Sequence, residues 1–330
     1  MGGIVDTVFL LKGSELKRKD NTLLVVLEDK TRKKLPIENV QHIVCAGGIK
    51  LNSEVLSFLG KHGVRMSFLD YYGNFSGTLE PKSMSGAGNV HLAQASIILN
   101  SHTRVSFGHK ILSAGVSNML RNLRYYAYRD KQNLKETIKE IEDFWIKINP
   151  TNISVEELLG HEGLVRALYY SSWKNISPDL AIKVRSRRPP EDRINAAISF
   201  SNSLVYSACS HAIRQTQLDP TLSFVHAPTQ KRQSLALDFA EIFKPIIADR
   251  MVFSLFNLKT LDDKDFEEHS GACLLSENGR EKFLLDFHSR MNETPINGEP
   301  GWRRLILKEA FALEAGVLGL REYNPFIVRA

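Results

Sequence analysis

A change of periodicity at residues 81–89 restricts what this chain can fold into more than any other feature. Before it, short apolar runs alternate with polar turns; after it, apolar residues recur at helical spacing. The joint, with Ser83, Ser85, Gly86 and Gly88, offers little to pack. At 330 residues the chain also exceeds the roughly 250 to 300 at which one core stops growing. Two domains are expected, residues 1–84 and 85–330. The fold class is α+β: a small N-terminal β-rich domain with one helix and a larger all-α C-terminal domain.

Strands are expected at 6–11, 22–28, 40–45, 64–69 and 75–79, with 13–21 as a turn and Tyr72-Gly73-Asn74 as a hairpin turn. One helix runs over 53–63 and closes at Gly63. Beyond the joint, helical spacing covers 92–129, 134–148, 154–173, 192–215 and 234–243, with Pro245 ending the last of these.

Three scattered cysteines without a Cys-x-x-Cys pair suggest neither a disulfide framework nor a cysteine zinc site. No apolar run is long enough to span a bilayer, and the start lacks a basic region followed by an apolar one, so a cytoplasmic protein with no membrane partner is expected. Lys and Arg exceed Asp and Glu by 43 to 37, which admits a polyanionic partner without requiring one.

Ser154 and Glu157 form a capping box, which fixes the phase of the helix that follows. Val155, Leu159, Tyr169 and Trp173 then share a stripe, and Glu162 falls in its middle. A carboxylate directed inward needs a cation: a metal ion, or Arg166 one turn further on. A His-Glu-x-x-His zinc pattern begins at His161 but fails, because residue 165 is Val.

His226 lies between Pro220 and Pro228, on a loop or short strand. Ser234 can cap the next helix, where Asp238 and Glu241 stand three apart at the edge of the apolar stripe of Leu235, Phe239 and Ile242. Paired acids of this kind are either solvated or neutralised by a cation. One imidazole with carboxylates from separate segments suits Mg²⁺ or Mn²⁺, an ion able to activate an attacking oxygen at a phosphodiester. Arg187 and Arg188, before Pro189-Pro190, and Lys231, Arg232, Lys244 and Arg166 are the cations placed to grip phosphates around such an ion. Arg121, Arg124 and Arg129, interleaved with Tyr125, Tyr126 and Tyr128, form a second basic and aromatic series.

Four motifs in order, Leu159-Gly160-His161-Glu162-Gly163, Arg188-Pro189-Pro190-Glu191-Asp192-Arg193-Ile194-Asn195-Ala196, Asp219-Pro220 through His226, and Ser234-Leu235-Ala236-Leu237-Asp238-Phe239-Ala240-Glu241 through Pro245, resemble the CRISPR-associated protein 1 family of spacer-acquisition integrases. The N-terminal stretch, including Pro36-Ile37-Glu38 and Phe68-Leu69-Asp70, is similar to that family as well. The resemblance implies that Glu162, His226 and Glu241 are divalent-metal ligands, with Asp238 supporting a catalytic site in the helical domain. It implies a DNA endonuclease and integrase in which a 3′-hydroxyl of spacer DNA attacks a phosphodiester at the repeat. Dimerisation through the β-rich domain, assembly with CRISPR-associated protein 2 and binding of double-stranded and branched DNA are implied too. Ser223, where the family commonly has Gly, and Asn202, where it commonly has an aromatic residue, depart from the pattern. Two other readings compete: a DNA-binding scaffold without chemistry, its acids merely paired with Arg166, Lys231 and Arg232, and a metal-dependent phosphohydrolase of small nucleotides, for which there is no phosphate-cradling Gly-rich loop.

Overall fold

Residues 7–11 and 13–80 fold as two sheets with α1, within a computed structural model that describes these residues and 88–129, 133–227, 233–294 and 301–328. The strands are β1 (Thr7–Leu11), β2 (Glu15–Lys19), β3 (Thr22–Val26), β4 (Arg32–Pro36), β5 (His42–Ala46), then α1 (Ser53–Lys61), β6 (Arg65–Leu69) and β7 (Phe75–Leu79). One sheet runs β1-β5-β6-β7, parallel except for the antiparallel β6–β7 pair; the other is the antiparallel β2-β3-β4. Leu10, Ile43, Cys45 and Met66 meet Leu16, Leu23, Val25 and the α1 residues Val55, Phe58 and Leu59 between them. The alternate residues Val44, Ala46 and Leu69 face the other way and join the core of the helical part. Strand β5 is therefore covered on both faces, which is why residues 43–46 read as an unbroken apolar run after His42.

Two strands differ from the sequence expectation. Residues 13–21 are mostly strand β2, which turns into β3 through Asp20-Asn21 with Asp20 at φ 55°. Only Leu16 of β2 is buried, and β4 shows Arg32, Lys33 and Lys34 to solvent. Charged residues of this kind guard sheet edges and erase the alternation that marks a strand.

The helical part comprises α2 (Gly88–Leu99), α3 (Ser101–Tyr128), α4 (Leu134–Trp145), α5 (Val155–Ser171), α6 (Arg193–Ile213), α7 (Ser234–Phe243), α8 (Arg250–Asn257), α9 (Glu277–Asn292) and α10 (Trp302–Val317). The expected single helix over 92–129 breaks at Asn100, whose side chain accepts from Thr103 N (3.0 Å) and starts α3 afresh. Helix α6 is buried along nearly its whole length, between the four-stranded sheet and α7, α8 and α10. The chain does not stop at Pro245: it passes from α7 into a π-helical segment, Lys244–Asp249, and on into α8. The wider turn absorbs the missing proline N–H, and Asn118 and Asn122 of α3 donate to the Ile242 and Pro245 carbonyls (2.9 and 2.7 Å). The expectation of an all-α C-terminal part omits a hairpin, β8 (Phe266–His269) with β9 (Ala272–Leu275), which turns at Ser270-Gly271. The boundary expected at 84/85 lies outside the described residues. Among those described, no helix is long and apolar enough to cross a membrane.

Where the sheet meets α6, the buried imidazole of His42 and the half-buried one of His211 stack 4.6 Å apart and nearly parallel. Arg65 donates to His211 Nδ1 (3.1 Å), and Ser67 Oγ lies 2.8 Å from His42 Nε2. Burial, with Arg65 and Arg303 nearby, lowers His42 from the ordinary 6.5 to about 3, and burial beside His42 and the same arginines lowers His211. Below pH 6.5 the unfolded chain takes up protons that these imidazoles refuse in the fold, so stability held above 6.5 is lost as pH falls toward 3. For His42 alone the loss reaches about 2 kcal/mol at pH 5. Calorimetric unfolding of the native chain should steepen below pH 6.5 more than that of His42→Gln; equal slopes would show that the pair does not govern acid stability.

Candidate active site

Helix α5 begins as the sequence requires, with Ser154 Oγ accepting from Glu157 N (3.1 Å) and the Glu157 carboxylate accepting from Ser154 N (2.7 Å). With that phase set, Val155, Leu158, Val165 and Tyr169 enter the core, and Glu162 lies along their edge with 14% of its side chain exposed. Helix α7 presents Glu241 to the same space. It comes close to α3 because residue 115 is Gly: a Cβ there would stand 2.9 Å from the Glu241 carbonyl.

Asp238 and Glu241 share a helix flank but do different work. The Asp238 carboxylate is fully buried and accepts from the backbone N–H of Phe224, Val225 and His226 (2.6, 2.8 and 3.0 Å). It also accepts from His226 Nδ1 (2.7 Å). One side chain thus moulds the loop after α6 and fixes the imidazole tautomer, leaving Nε2 as the nitrogen not committed to Asp238. Burial opposes a charged imidazole, yet the Asp238 hydrogen bond and charge, with Glu241 beyond, hold the His226 pKa above its ordinary value. Ser223, the residue that departs from the family's usual Gly, is buried, and its hydroxyl donates to the His226 carbonyl (2.6 Å). The departure adds a tether to the same loop. Ser234, expected as a helix cap, is instead the first residue of α7, and its hydroxyl donates to the Thr221 carbonyl (2.7 Å).

Glu162, His226 and Glu241 line one open cleft of about 510 Å³, together with Arg166, Arg187, Arg188 and Lys244. Arg166 donates through Nε to Glu162 and through Nη2 to Glu241, so its guanidinium bridges carboxylates of two helices. Lys244 donates to the other Glu241 oxygen (2.6 Å). Burial raises the Glu241 carboxyl, but Arg166, Lys244 and His226 outweigh it and hold the group well below the usual carboxylate range. Arg166 is itself buried and paired with both acids. As the side chains lie, no three His, Cys, Asp or Glu among the described residues stand together as a metal cluster. The chemistry of the donor set nevertheless fits a hard divalent ion, since it offers two carboxylates and an imidazole nitrogen oriented by a carboxylate behind it. Arg166 supplies positive charge between those carboxylates.

Arg187 and Arg188 are exposed at the cleft rim. Arg185 holds their segment to α6 by donating to Asn195 Oδ1 (2.8 Å) and Ser199 Oγ (3.2 Å). Lys231 and Arg232 lie outside the described residues. The Arg124 and Tyr128 series faces a separate groove beside α4, where Arg124 pairs with Glu142. Sequence reasoning missed Tyr170 and Tyr206 on the cleft wall; Asn202, which departs from the family's usual aromatic residue, stands there too, and its Oδ1 is buried without a hydrogen-bond partner. It also missed Asp249, buried at the end of the π segment close to Tyr169, whose carboxyl burial pushes up to about 7.

The profile of the family described as CRISPR associated protein Cas1 matches residues 8–289. A CRISPR-associated endonuclease Cas1 from Clostridium perfringens is 35% identical over 325 residues, 96% of this chain and 97% of that one. A CRISPR-associated protein Cas1 from Methanobrevibacter ruminantium is also 35% identical, over 97% of this chain and 98% of its own. Among solved structures, a Cas1 protein from Thermotoga maritima superimposes with a TM-score of 0.82 at 31% identity, covering 99% of both chains.

Proposed function

This chain belongs to the CRISPR-associated protein Cas1 family, and from that membership we propose that it is a divalent-metal-dependent DNA endonuclease and integrase. It inserts spacers into a CRISPR array by attack of a DNA 3′-hydroxyl on a phosphodiester. The observation that carries this reading is the meeting of Glu162, His226 and Glu241, from α5, a loop and α7, in one cleft rimmed by Arg187 and Arg188.

Glu162, His226 and Glu241 are the residues that would hold the ion, Mg²⁺ or Mn²⁺. When bound, it supplies Lewis-acid polarisation of the phosphodiester and lowers the pKa of the attacking oxygen. Asp238 keeps the proton on His226 Nδ1, so that Nε2 is the nitrogen left for an ion to take. Arg187 and Arg188 grip the phosphates that flank the reacting one. Arg166 and Lys244 now balance the two carboxylates, and once released from them they direct two positive charges at the DNA. The β-rich domain serves as the dimerisation domain, and the dimer works in the cytoplasm with CRISPR-associated protein 2 on double-stranded and branched DNA.

The Arg166 bridge favours one competing reading, a DNA-binding scaffold with internally paired acids. The two separate in a joining assay with a labelled duplex and a supercoiled plasmid carrying a repeat. Joined product in Mg²⁺ or Mn²⁺, absent with chelator or with a 3′-dideoxy end, is expected; equal DNA binding with and without metal, and no product, is the scaffold's signature. Neutralising Arg187 and Arg188 together should weaken DNA binding and reduce the salt slope by about 1 to 2. An unchanged slope in fluorescence anisotropy would remove that rim from the DNA path.

A further inference from the structure

Helix α6 gives one face, with Asn202 and Tyr206, to the reacting cleft, and another, with Ser207 and His211, to a separate cavity of about 80 Å³. The cavity lies at the seam where β1 and β5 meet α6, α9 and α10. One water needs roughly 10–15 Å³ on the same measure, so there is room for several waters or one small polyatomic ion.

The lining carries charge of one sign. Arg303, Arg304, His42 and His211 border the cavity, and no Asp or Glu among the described residues does. Glu80 answers Arg65 and Arg214 (2.8 and 3.3 Å) but stands outside the lining. Arg303 donates to Thr7 Oγ1 (2.9 Å), which ties α10 to β1 and holds the guanidinium at the cavity wall. Its charge contributes to the depressed pKa of both imidazoles, as a positive field must.

Donors also outnumber acceptors. A guanidinium has no acceptor to offer, and because His211 Nδ1 accepts from Arg65 (3.1 Å), the ring proton sits on Nε2, beside the Gln215 amide (2.9 Å). Ser207 gives the clearest sign: it is 1% exposed, it borders the cavity, and its Oγ meets no hydrogen-bond partner. A buried hydroxyl in that state is destabilising until an acceptor reaches it. Phe9, Leu204 and Phe287 fill out the wall and offer no rival acceptor.

We propose that this cavity binds a small tetrahedral oxyanion of phosphate's size and charge, held by Ser207, Arg303 and Arg304, which closes the seam between the β-rich sheet and the helices. The depth of the site excludes a duplex backbone, since His42 and Ser207 are 2% and 1% exposed while Arg304 stands exposed at the mouth. The occupant is therefore a free ion, and its binding is independent of the chemistry in the reacting cleft.

The test uses the full chain, inorganic phosphate and titration calorimetry at constant ionic strength, with chloride as the balancing anion. One phosphate per chain is expected, and at about a hundredfold excess over its Kd the thermal midpoint should rise by about 4 °C. Ser207→Ala should be as stable as the native chain in chloride, because the hydroxyl it removes has no partner, yet bind phosphate about tenfold or more weakly. Arg304→Gln, at an exposed position, should weaken binding to a similar degree. Changing Arg187 and Arg188 together to Gln, which strips the rim of the reacting cleft, should leave phosphate binding as it is. A saturating duplex without terminal phosphates should not displace the ion. The inference is overturned by an absence of phosphate binding, by native affinity in either Ser207→Ala or Arg304→Gln, by loss of binding in the rim variant, or by displacement with the duplex.

Discussion

Replacing Glu162 or His226 with alanine should reduce metal-dependent cleavage and joining by about a thousandfold or more, because each removes an ionic or imidazole donor from the reacting centre. DNA affinity should be largely kept, since on the proposed reading the phosphate contacts fall to Arg187 and Arg188 on the rim and involve neither residue. The two variants should differ in stability. Removing Glu162 leaves Arg166 its second carboxylate, Glu241, so the buried guanidinium is not abandoned. Single-turnover assays in Mn²⁺, with anisotropy and thermal unfolding alongside, check all three quantities. Retained joining in either variant would remove the assignment of that residue.

Asp238→Asn should cost more in folding than its size suggests. The native carboxylate accepts four hydrogen bonds, three from consecutive backbone N–H groups and one from His226 Nδ1, with no exposure to water. An amide turns one oxygen into a donor that faces donors, and each bond lost in a buried site costs about 1–3 kcal/mol. A total loss of about 3 kcal/mol or more in denaturant unfolding is expected. Where the variant still folds, the imidazole loses the partner that fixes its tautomer, and Mn²⁺ affinity should fall about 10- to 100-fold. Wild-type stability together with wild-type Mn²⁺ affinity would show that the loop is held by other means, such as the Ser223 hydroxyl.

The residues that proved legible in the sequence were those whose local rules agree with the tertiary structure. The Ser154 capping box sets the phase of α5, and the phase alone brings Glu162 to the buried side. The change at 81–89 separates a chain with period two from one with period 3.6, and the β-rich and helical parts follow it. Strands β2 and β4 were hidden because their outward residues are charged and only alternate positions touch a core. The π segment was hidden because Pro245 is a stop signal on local grounds, while the groups that rescue it, Asn118 and Asn122, lie on another helix. The site shows the same division. Spacing allows Arg166 to pair with Glu162 one turn away, but Glu241, 75 residues further along, is brought to the same guanidinium only because α5 and α7 both pack on α3. Likewise the three-residue spacing of Asp238 and Glu241 suggests one shared role, and only burial separates the acid that shapes the loop from the acid that faces the cleft.

Crystals of the full chain soaked in Mn²⁺, with anomalous scattering recorded at the manganese edge, address most directly whether Arg166 occupies the place of a metal. A single peak about 2 Å from a Glu162 oxygen, His226 Nε2 and a Glu241 oxygen, with the guanidinium turned away, is the predicted result. A saturated crystal of joining-competent protein with no peak there, and Arg166 still bridging the two carboxylates, would contradict it.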